Sequence, residues 1–420
     1  MVEAKNIQGA LERCDFLDTL YPGARERAVR RLGGIAARFF ERFPQHRQAG
    51  LYSSPGRSEM GGNHTDHQGG CVITAAVDCD MAGCAAPNGT GVIALVSEGH
   101  GEVSVDTADT AVHEEERGTT AALVRGIAAR LKQLGYAARG FDAYLSSAVL
   151  PGSGLSSSAS FEVWVGVAMN GLFCGDEVTP VQIAQIGRYA ENVYFGKPSG
   201  LEDQMACAVG GITFIDFENM DAPEVRQLKP DLPGYTLCVV DSGGSHADLT
   251  SEYAAIPEEM GRIAGYFGQE RLRGVKEDAF YAALPTLRRE FGDRAVLRAC
   301  HFFGENERVK AQAQALTNGE TDRFLRMVRA SGQSSFMYLQ NVCPAGAVRE
   351  QSLAVALAVC DKLLGESGAF RVHGGGFAGT VLAFVPDEML ARFRKQCESL
   401  LGEGRCHVLR VRPVGGTMVL

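Results

Sequence analysis

Apolar side chains in residues 7–44 recur every three or four positions, which is the spacing of one face of a helix. The turn signal Tyr21-Pro22-Gly23 divides this stretch into two helical parts. Further helices are predicted by the same spacing over 119–135, 161–172, about 180–195 and most of 255–365.

Short apolar runs bounded by glycine, asparagine and proline predict strands. They cover residues 72–77, 91–96, 141–145, 211–215, 235–240, 380–385 and 406–411. Helices and strands do not alternate regularly, so the pattern favours an α+β fold over a doubly wound parallel sheet. At roughly 150 residues per domain, a chain of 420 residues predicts two or three domains, and two is the simpler expectation.

The composition narrows the class of protein. Of all residues, 45% are hydrophobic and 22% are charged, which is typical of a globular protein with a large core. The formal net charge is −9, which argues against a nucleic-acid partner because binding phosphates over a wide surface needs a basic excess. The 12 cysteines include no C-x-x-C pair, so we expect free thiols in a reducing compartment rather than a zinc or redox motif.

The chain begins with a polar stretch, Met1-Val2-Glu3-Ala4-Lys5, without an apolar leader, so no secretory signal is expected. No run approaches the roughly 18 apolar residues that span a membrane. We therefore expect a cytoplasmic protein without a membrane or nucleic-acid partner, present as a monomer or weak dimer.

A loop rich in glycine and serine, residues 151–160, lies between a predicted strand and a predicted helix. Glycine lets the backbone turn sharply, and the start of the next helix offers free N–H groups and the positive end of its dipole. The Walker A pattern is absent, but the hydroxyls add donors and one of them is a candidate magnesium ligand. We expect the loop to bind phosphate; the alternative is an ordinary serine-rich helix start.

Two other segments combine polar side chains with turn residues. Residues 53–67 hold an arginine, an asparagine, two histidines and an aspartate, and residues 371–379 form a second glycine-rich loop ahead of a predicted strand. Such clusters are typical of loops that contact a ligand. His64, Asp66 and His67 lack helical i, i+4 spacing, so a metal site there is not favoured.

These segments, in this order, resemble the GHMP small-molecule kinases and, within them, the galactokinases. The matching stretches run from about residue 52 to 385 and include Pro55-Gly56-Arg57, His64-Thr65-Asp66, 154–163, Gly200-Leu201-Glu202-Asp203-Gln204, Ser251-Glu252-Tyr253, Glu305-Asn306-Glu307-Arg308 and 374–379. The resemblance implies a two-lobed α+β fold, expected over 1–205 and 206–420, with the active site between the lobes. It also implies ATP, Mg²⁺ and phosphorylation of a hexose, first of all galactose, at its anomeric C1 hydroxyl.

The resemblance further implies roles for single residues. Asp203 is expected to be the catalytic base, with Arg57 as the cationic neighbour that keeps it ionised. Ser158 and Glu191 are expected to bind magnesium. Expected sugar contacts are Asn63, His64, Asp66, Gly200 and Tyr253; expected contacts to the ATP phosphates are Gly152, Gly154, Leu155, Ser156, Ser157, Ser158 and Ala159. Taken alone, Glu191 is equally a solvated helix residue and Asp203 a helix cap.

The first segment departs from the galactokinase pattern Gly-Glu-His-x-Asp-Tyr at two positions: Asn63 replaces the glutamate and His67 the tyrosine. In the family that glutamate contacts O6 of the sugar. Two carboxylates about 4 Å apart repel by about 4 kcal/mol at an effective dielectric constant of about 20, so losing one favours a sugar with a C6 carboxylate. Galacturonate, or another galactose-derived sugar, is therefore an alternative acceptor.

Two other classes of function, a sugar sensor and a kinase of a non-sugar alcohol, are less favoured by the sequence. A non-catalytic sugar sensor on this fold is less favoured, because sensors have lost part of the serine loop that this chain keeps beside Asp203 and Arg57. A kinase of a non-sugar alcohol, such as mevalonate or homoserine, is disfavoured by His64-Thr65-Asp66. After Tyr253 the family's arginine-rich continuation is missing, which leaves the identity of the sugar open.

Overall fold

The structure, a computed structural model, describes residues 1–149, 154–228, 232–244 and 249–420. Its helices are α1 (Ile7–Glu12), α2 (Phe16–Leu20), α3 (Arg25–Arg42), α4 (Thr120–Gln133), α5 (Ser157–Phe173), α6 (Pro180–Tyr189), α7 (Glu202–Val209), α8 (Thr250–Tyr266), α9 (Glu277–Ala282), α10 (Leu284–Phe291), α11 (Asp293–Asn318), α12 (Thr321–Ser334), α13 (Ser352–Leu364) and α14 (Leu390–Leu401). Two π-helical turns, Ala190–Phe195 and Ser335–Leu339, continue α6 and α12.

The strands are β1 (Val2–Glu3), β2 (Gln48–Gly61), β3 (Cys71–Pro87), β4 (Val92–Ser97), β5 (Gly101–Asp106), β6 (Phe141–Ser147), β7 (Ile212–Asp216), β8 (Glu224–Leu228), β9 (Tyr235–Asp241), β10 (Ala369–His373), β11 (Thr380–Pro386), β12 (Cys406–Leu409) and β13 (Thr417–Met418). Among the described residues, nine strands form a large sheet in the order β1-β2-β3-β6-β4-β5, where β13 pairs with β2 and β7 joins β3 to β8. The order β10-β11-β9-β12 forms a smaller antiparallel sheet.

Helices cover the sheets through separate apolar clusters. Helices α4, α5, α6 and α7 share one cluster with the large sheet, whereas α1 to α3 share another with β2 and β3. Helices α13 and α14 pack on the small sheet. A further cluster joins β3 and β7 of the large sheet to β9 and β11 of the small sheet through α11 and α12. The two sheets are therefore held together by a shared apolar core.

The helix and strand predictions are largely confirmed, and so is the α+β class, but the prediction of a loop over 53–67 is wrong in its first half. Residues 48–61 form β2, whose register with β3 shifts between Pro55 and Arg57 and again between Glu59 and Gly61. Such irregularities let a strand carry glycine and proline and redirect its side chains. The division at 205 and 206 stays a prediction; β7 and β8 pair with the large sheet. No helix in the described ranges is long and apolar enough to cross a membrane.

Candidate active site

Asp203 and Arg57 are brought together from positions 146 residues apart. Asp203 lies in the first turn of α7, and Arg57 follows the first register shift of β2. Arg57 Nε donates to Asp203 Oδ1 at 2.6 Å, and its Nη1 donates to the carbonyl of Gly154. Ser156 Oγ donates to the other carboxylate oxygen at 2.5 Å. The Asp203 carboxylate is thus fixed from both sides, against the end of the glycine-serine loop.

The charge of this pair is well defined. Burial alone would raise the pKa of Asp203, but the Arg57 charge and the hydrogen bonds from Arg57 and Ser156 outweigh it and lower that pKa below its ordinary value. Burial opposes the charge of Arg57, and Asp203 outweighs that effect, so the pKa of Arg57 is raised. The Asp203 side chain remains 35% exposed. An ionised, partly exposed carboxylate is able to accept a proton from a bound hydroxyl.

The glycine-serine loop enters α5 through unusual backbone. Gly154 has a φ of 71°, and an added Cβ would lie 2.9 Å from Thr380 Oγ1 and 3.0 Å from His373 Nδ1. Ser156 is left-handed, with a φ of 56°, and its own side chain does not cap the first N–H groups of α5. Those N–H groups lie at the positive end of a 17-residue helix, a position that favours the binding of an anion.

The predicted phosphate contacts of this loop differ in accessibility. Leu155 and Ala159 are fully buried, so only their backbone N–H groups are suited to a phosphate. Ser157 is partly exposed and Ser158 exposed. Gly152 lies outside the described residues.

Glu191 lies in the π-helical turn after α6, where its carboxylate is almost completely buried. Lys197 Nζ donates to one oxygen at 2.8 Å. Ser199 Oγ at 2.5 Å and Gln204 Nε2 at 2.9 Å donate to the other. The carboxylate already pairs with a cation, and with the Ser158 hydroxyl it offers the oxygen donors that Mg²⁺ prefers. No group of three or more His, Cys, Asp or Glu side chains in the described ranges is arranged to hold a metal, so phosphate oxygens and water would complete the shell.

His64 and Asp66 follow β2 in sequence, and the charge of Asp66 interacts with that of Asp203. His64 has a left-handed φ of 57°, and its Nε2 lies 3.0 Å from the Gly375 carbonyl. Burial lowers the pKa of His64, so the ring is neutral near pH 7. Burial and the charge of Asp203 raise the pKa of Asp66 to about 6, against the effect of a backbone hydrogen bond. An added Cβ at Gly200 would overlap Asp66 Oδ2, so only glycine allows this approach.

Asn63, by contrast, is fully buried. Its Nδ2 donates to Glu59 Oε1 at 3.0 Å and to the Gly374 carbonyl at 2.7 Å. Its Oδ1 accepts from Asn341 Nδ2 at 2.8 Å and from a serine hydroxyl of the second π-turn at 3.1 Å. Both ends of the amide are hydrogen-bonded to protein atoms. Asn63 is therefore not accessible, whereas His64 and Asp66 are partly exposed. Its role as a sugar contact stays a prediction.

A charged pair beside Asn63, Glu59 with Arg371, was not predicted from the sequence. Glu59 and Arg371 are 5% and 0% exposed and form an ion pair. Within the described ranges, Arg371 Nε and Nη1 have no hydrogen-bond partner. Glu59 lies in the segment 53–67 and Arg371 in the segment 371–379, and this membership was the only indication in the sequence that the two residues belong to the site. Position 63 itself has no carboxylate, but Glu59, four residues earlier in β2, provides one whose charge is neutralised by Arg371.

Tyr253 anchors the second glycine-rich turn. Its hydroxyl donates to the Gly376 carbonyl at 2.9 Å, and its ring meets Phe377 edge-on, with centroids 5.4 Å apart. An added Cβ at Gly375 would lie 2.6 Å from the ring. Burial raises the pKa of Tyr253 to about 12, so the hydroxyl keeps its proton. Tyr253 therefore holds the turn that accepts from His64.

Comparison with known proteins is consistent with this geometry. Residues 122–211 match the family model of the GHMP kinases N terminal domain, and residues 37–87 match the galactokinase galactose-binding signature. A galactokinase of Streptomyces coelicolor is 31% identical over 362 residues, which cover 84% of this chain and 88% of the relative.

Solved structures of GHMP kinases have the same fold as this chain. The Lactococcus lactis galactokinase complexed with galactose has a TM-score of 0.79 at 26% identity, over 92% of this chain and 99% of that one. The Methanococcus jannaschii mevalonate kinase shares the fold, with a TM-score of 0.61 at 16% identity, over 87% and 98% of the two chains. From the Streptomyces relative and the two family models, this chain belongs to the galactokinase family of the GHMP kinases.

Proposed function

We propose that this kinase transfers the γ-phosphoryl group of ATP to the anomeric C1 hydroxyl of galactose. The carrying observation is the Asp203 carboxylate, held ionised by Arg57 and Ser156 at the end of the glycine-serine loop. Galactose is favoured because the similar Lactococcus protein was solved with it and the galactose-binding signature covers residues 37–87. A cytoplasmic location and a monomeric or weakly dimeric state stay predictions.

The reaction needs one base and one anion site. Asp203 takes the proton of the C1 hydroxyl while the oxygen of that hydroxyl forms a bond to the γ-phosphorus. The bond from that phosphorus to the β,γ-bridging oxygen breaks, and its electron pair leaves with ADP. Arg57 lies against Asp203 and the end of the loop, where a cation offsets the charge on the moving group. The N–H groups of α5 and the hydroxyls of Ser157 and Ser158 bind the other phosphate oxygens, whereas Ser156, whose hydroxyl donates to Asp203, offers its backbone N–H.

Ser158 and Glu191 are the residues that would hold Mg²⁺, for which their oxygens fit. When bound, the ion neutralises charge on the phosphate oxygens. His64, Asp66, Gly200 and Tyr253 are the proposed sugar contacts, together with Asn63. Of these, Asp66 and Gly200 lie against each other near Asp203, which favours a sugar ring in this position.

Galacturonate is a second candidate acceptor, favoured by the charges around Asp66. Arg188 lies near Asp66 and Arg271; burial and the charge of Arg271 lower its pKa despite Asp66. Neither guanidinium is within 4.0 Å of a carboxylate oxygen in the part of the chain that the structure describes. The nearby Glu59 carboxylate is neutralised by Arg371. Two arginines without an ion pair, together with Asn63, favour an acceptor that carries a carboxylate.

The test is an ATP-consumption assay with galactose, galacturonate, N-acetylgalactosamine, glucose, arabinose and talose, followed by NMR of the product to locate the phosphate. Turnover with galactose and a C1 phosphate support the main proposal. Strong turnover with galactose and none with galacturonate contradicts the second. The absence of ATP consumption with every sugar contradicts the enzyme and favours the sugar sensor.

The affinity for sugar is expected to depend on Asp66 ionisation. With a pKa of about 6, the ionised fraction falls roughly fourfold between pH 7.5 and pH 5.5, so KM for the sugar rises by a similar factor. Asp203, whose pKa is lowered, stays ionised over this range. Steady-state kinetics across the range measure the effect. Because Glu202 is also a buried acid with a raised pKa, the D66N variant is the control. A D66N profile as steep as that of the parent contradicts the assignment.

A further inference from the structure

Lys197 is a charged side chain that the proposed reaction leaves without a role. It lies between the π-helical turn and α7, six residues before Asp203. Its Nζ donates to Glu191 Oε1 at 2.8 Å, while 58% of the side chain is exposed. Its charge reaches Asp203 and Glu162 as well. The ammonium is therefore a partly exposed cation among the carboxylates of the active site.

The orientation of Glu191 does not depend on Lys197. Ser199 Oγ and Gln204 Nε2 donate to Glu191 Oε2, at 2.5 Å and 2.9 Å. The same Gln204 nitrogen donates to Glu162 Oε2 at 2.9 Å, and both glutamates are buried. The buried Gln204 amide and the partly exposed Ser199 hydroxyl thus fix the carboxylate, and Lys197 only neutralises its other oxygen. A lysine on a flexible stem can leave that oxygen without disturbing the rest of the site.

We propose that Lys197 is a further catalytic residue, which leaves Glu191 and binds an oxygen of the γ-phosphoryl group when ATP and magnesium are bound. The inference rests on the proposed phosphoryl transfer. Glu191 Oε1 cannot pair closely with both the ammonium and a divalent ion, because the two cations repel each other. The released ammonium then binds the γ-phosphoryl group. Together with Arg57 it is the second cation that stabilises the charge on this group during transfer.

The alternative is that the pair of the exposed Lys197 ammonium with the buried Glu191 carboxylate only stabilises the fold and has no role in catalysis. Lys310 supplies the matched control, because its Nζ also donates to a glutamate at 2.8 Å, Glu307, on an exposed face of α11. The K197M, K197R and K310M variants separate a catalytic ammonium from a lost ion pair. Melting temperatures of the three variants establish that each is folded.

Three readouts test the proposal. K197M is expected to lower kcat about 10²-fold to 10³-fold, as the loss of one charge-stabilising donor does. Its Kd for MgATP, by calorimetry without sugar, is expected to rise roughly tenfold, and its Kd for MgADP less than twofold, because only ATP carries the γ-phosphoryl group. Since Lys197 competes for Glu191, the Mg²⁺ concentration for half-maximal rate is expected to fall. K197R is expected to retain more activity than K197M, and K310M to match the parent.

K197M values of kcat and MgATP Kd within about twofold of the parent overturn the proposal. So does an equal loss of affinity for MgATP and MgADP. A parent protein that consumes no ATP with any sugar contradicts the proposed function instead, and the comparison of MgATP with MgADP binding then still decides the contact of Lys197 with the γ-phosphoryl group. If K197M does not fold, K197Q provides the same comparisons.

Discussion

Replacing Asp203 by asparagine is expected to lower kcat about 10²-fold to 10⁴-fold, the usual contribution of a general base. The amide keeps the size of the side chain; its oxygen still accepts from Arg57 and its NH2 group donates to the Ser156 hydroxyl, but it does not take a proton. The fold and the affinity for ATP are therefore expected to survive. Single-turnover phosphorylation of galactose measures the chemical step directly.

Asp278 offers a matched control for this variant. Asp203 and Asp278 are each the second residue of a helix that begins with glutamate, α7 and α9, but Asp278 is exposed on the surface. D278N is expected to leave kcat unchanged. If D203N and D278N have equal kcat values, Asp203 acts only at the helix start. If D203N loses stability without losing kcat, the same conclusion follows.

The elements around this aspartate follow from local sequence. Helical spacing over 161–172 and the glycine-serine signal before it predicted α5, which begins four residues earlier at Ser157, because both signals depend on residues next to each other in sequence. The resemblance to the galactokinases predicted that Arg57, Asp203 and the loop share one site, and in the structure Arg57 donates hydrogen bonds to both Asp203 and Gly154. The α+β class followed from irregular alternation of strands and helices.

What the sequence could not predict depends on distant pairing. The contact of Glu59 with Arg371 joins positions 312 residues apart, through the arrangement of β2 and β10. The burial of Asn63 likewise follows from its bonds to Gly374 and Asn341 in the second half of the chain. Residues 53–61 read as a loop because glycine and proline are rare in strands, yet register shifts against β3 accommodate them.

The largest loss of stability is expected from replacing Glu59 by methionine. Arg371 is fully buried and its remaining nitrogens have no partner in the described part of the chain, so the variant leaves an uncompensated charge in the core. Breaking a buried pair in this way typically costs about 3–5 kcal/mol. Thermal unfolding is expected to show a melting temperature lower by roughly 5 °C or more.

Two comparisons test whether the unpaired charge is the cause. The double variant E59M/R371M removes both charges, so it is expected to be more stable than E59M alone, because apolar side chains of similar size often replace a buried pair at little cost. E98M breaks the exposed pair of Glu98 with Arg38 and is expected to cost at most about 1 kcal/mol. A double variant as unstable as E59M contradicts the unpaired Arg371 charge as the cause. The destabilisation would then come from the lost contact of Glu59 with Asn63. A role in the acceptor site is testable with the same variants, because a double variant that regains stability without regaining sugar affinity shows that the Glu59–Arg371 pair serves the acceptor site as well as the core.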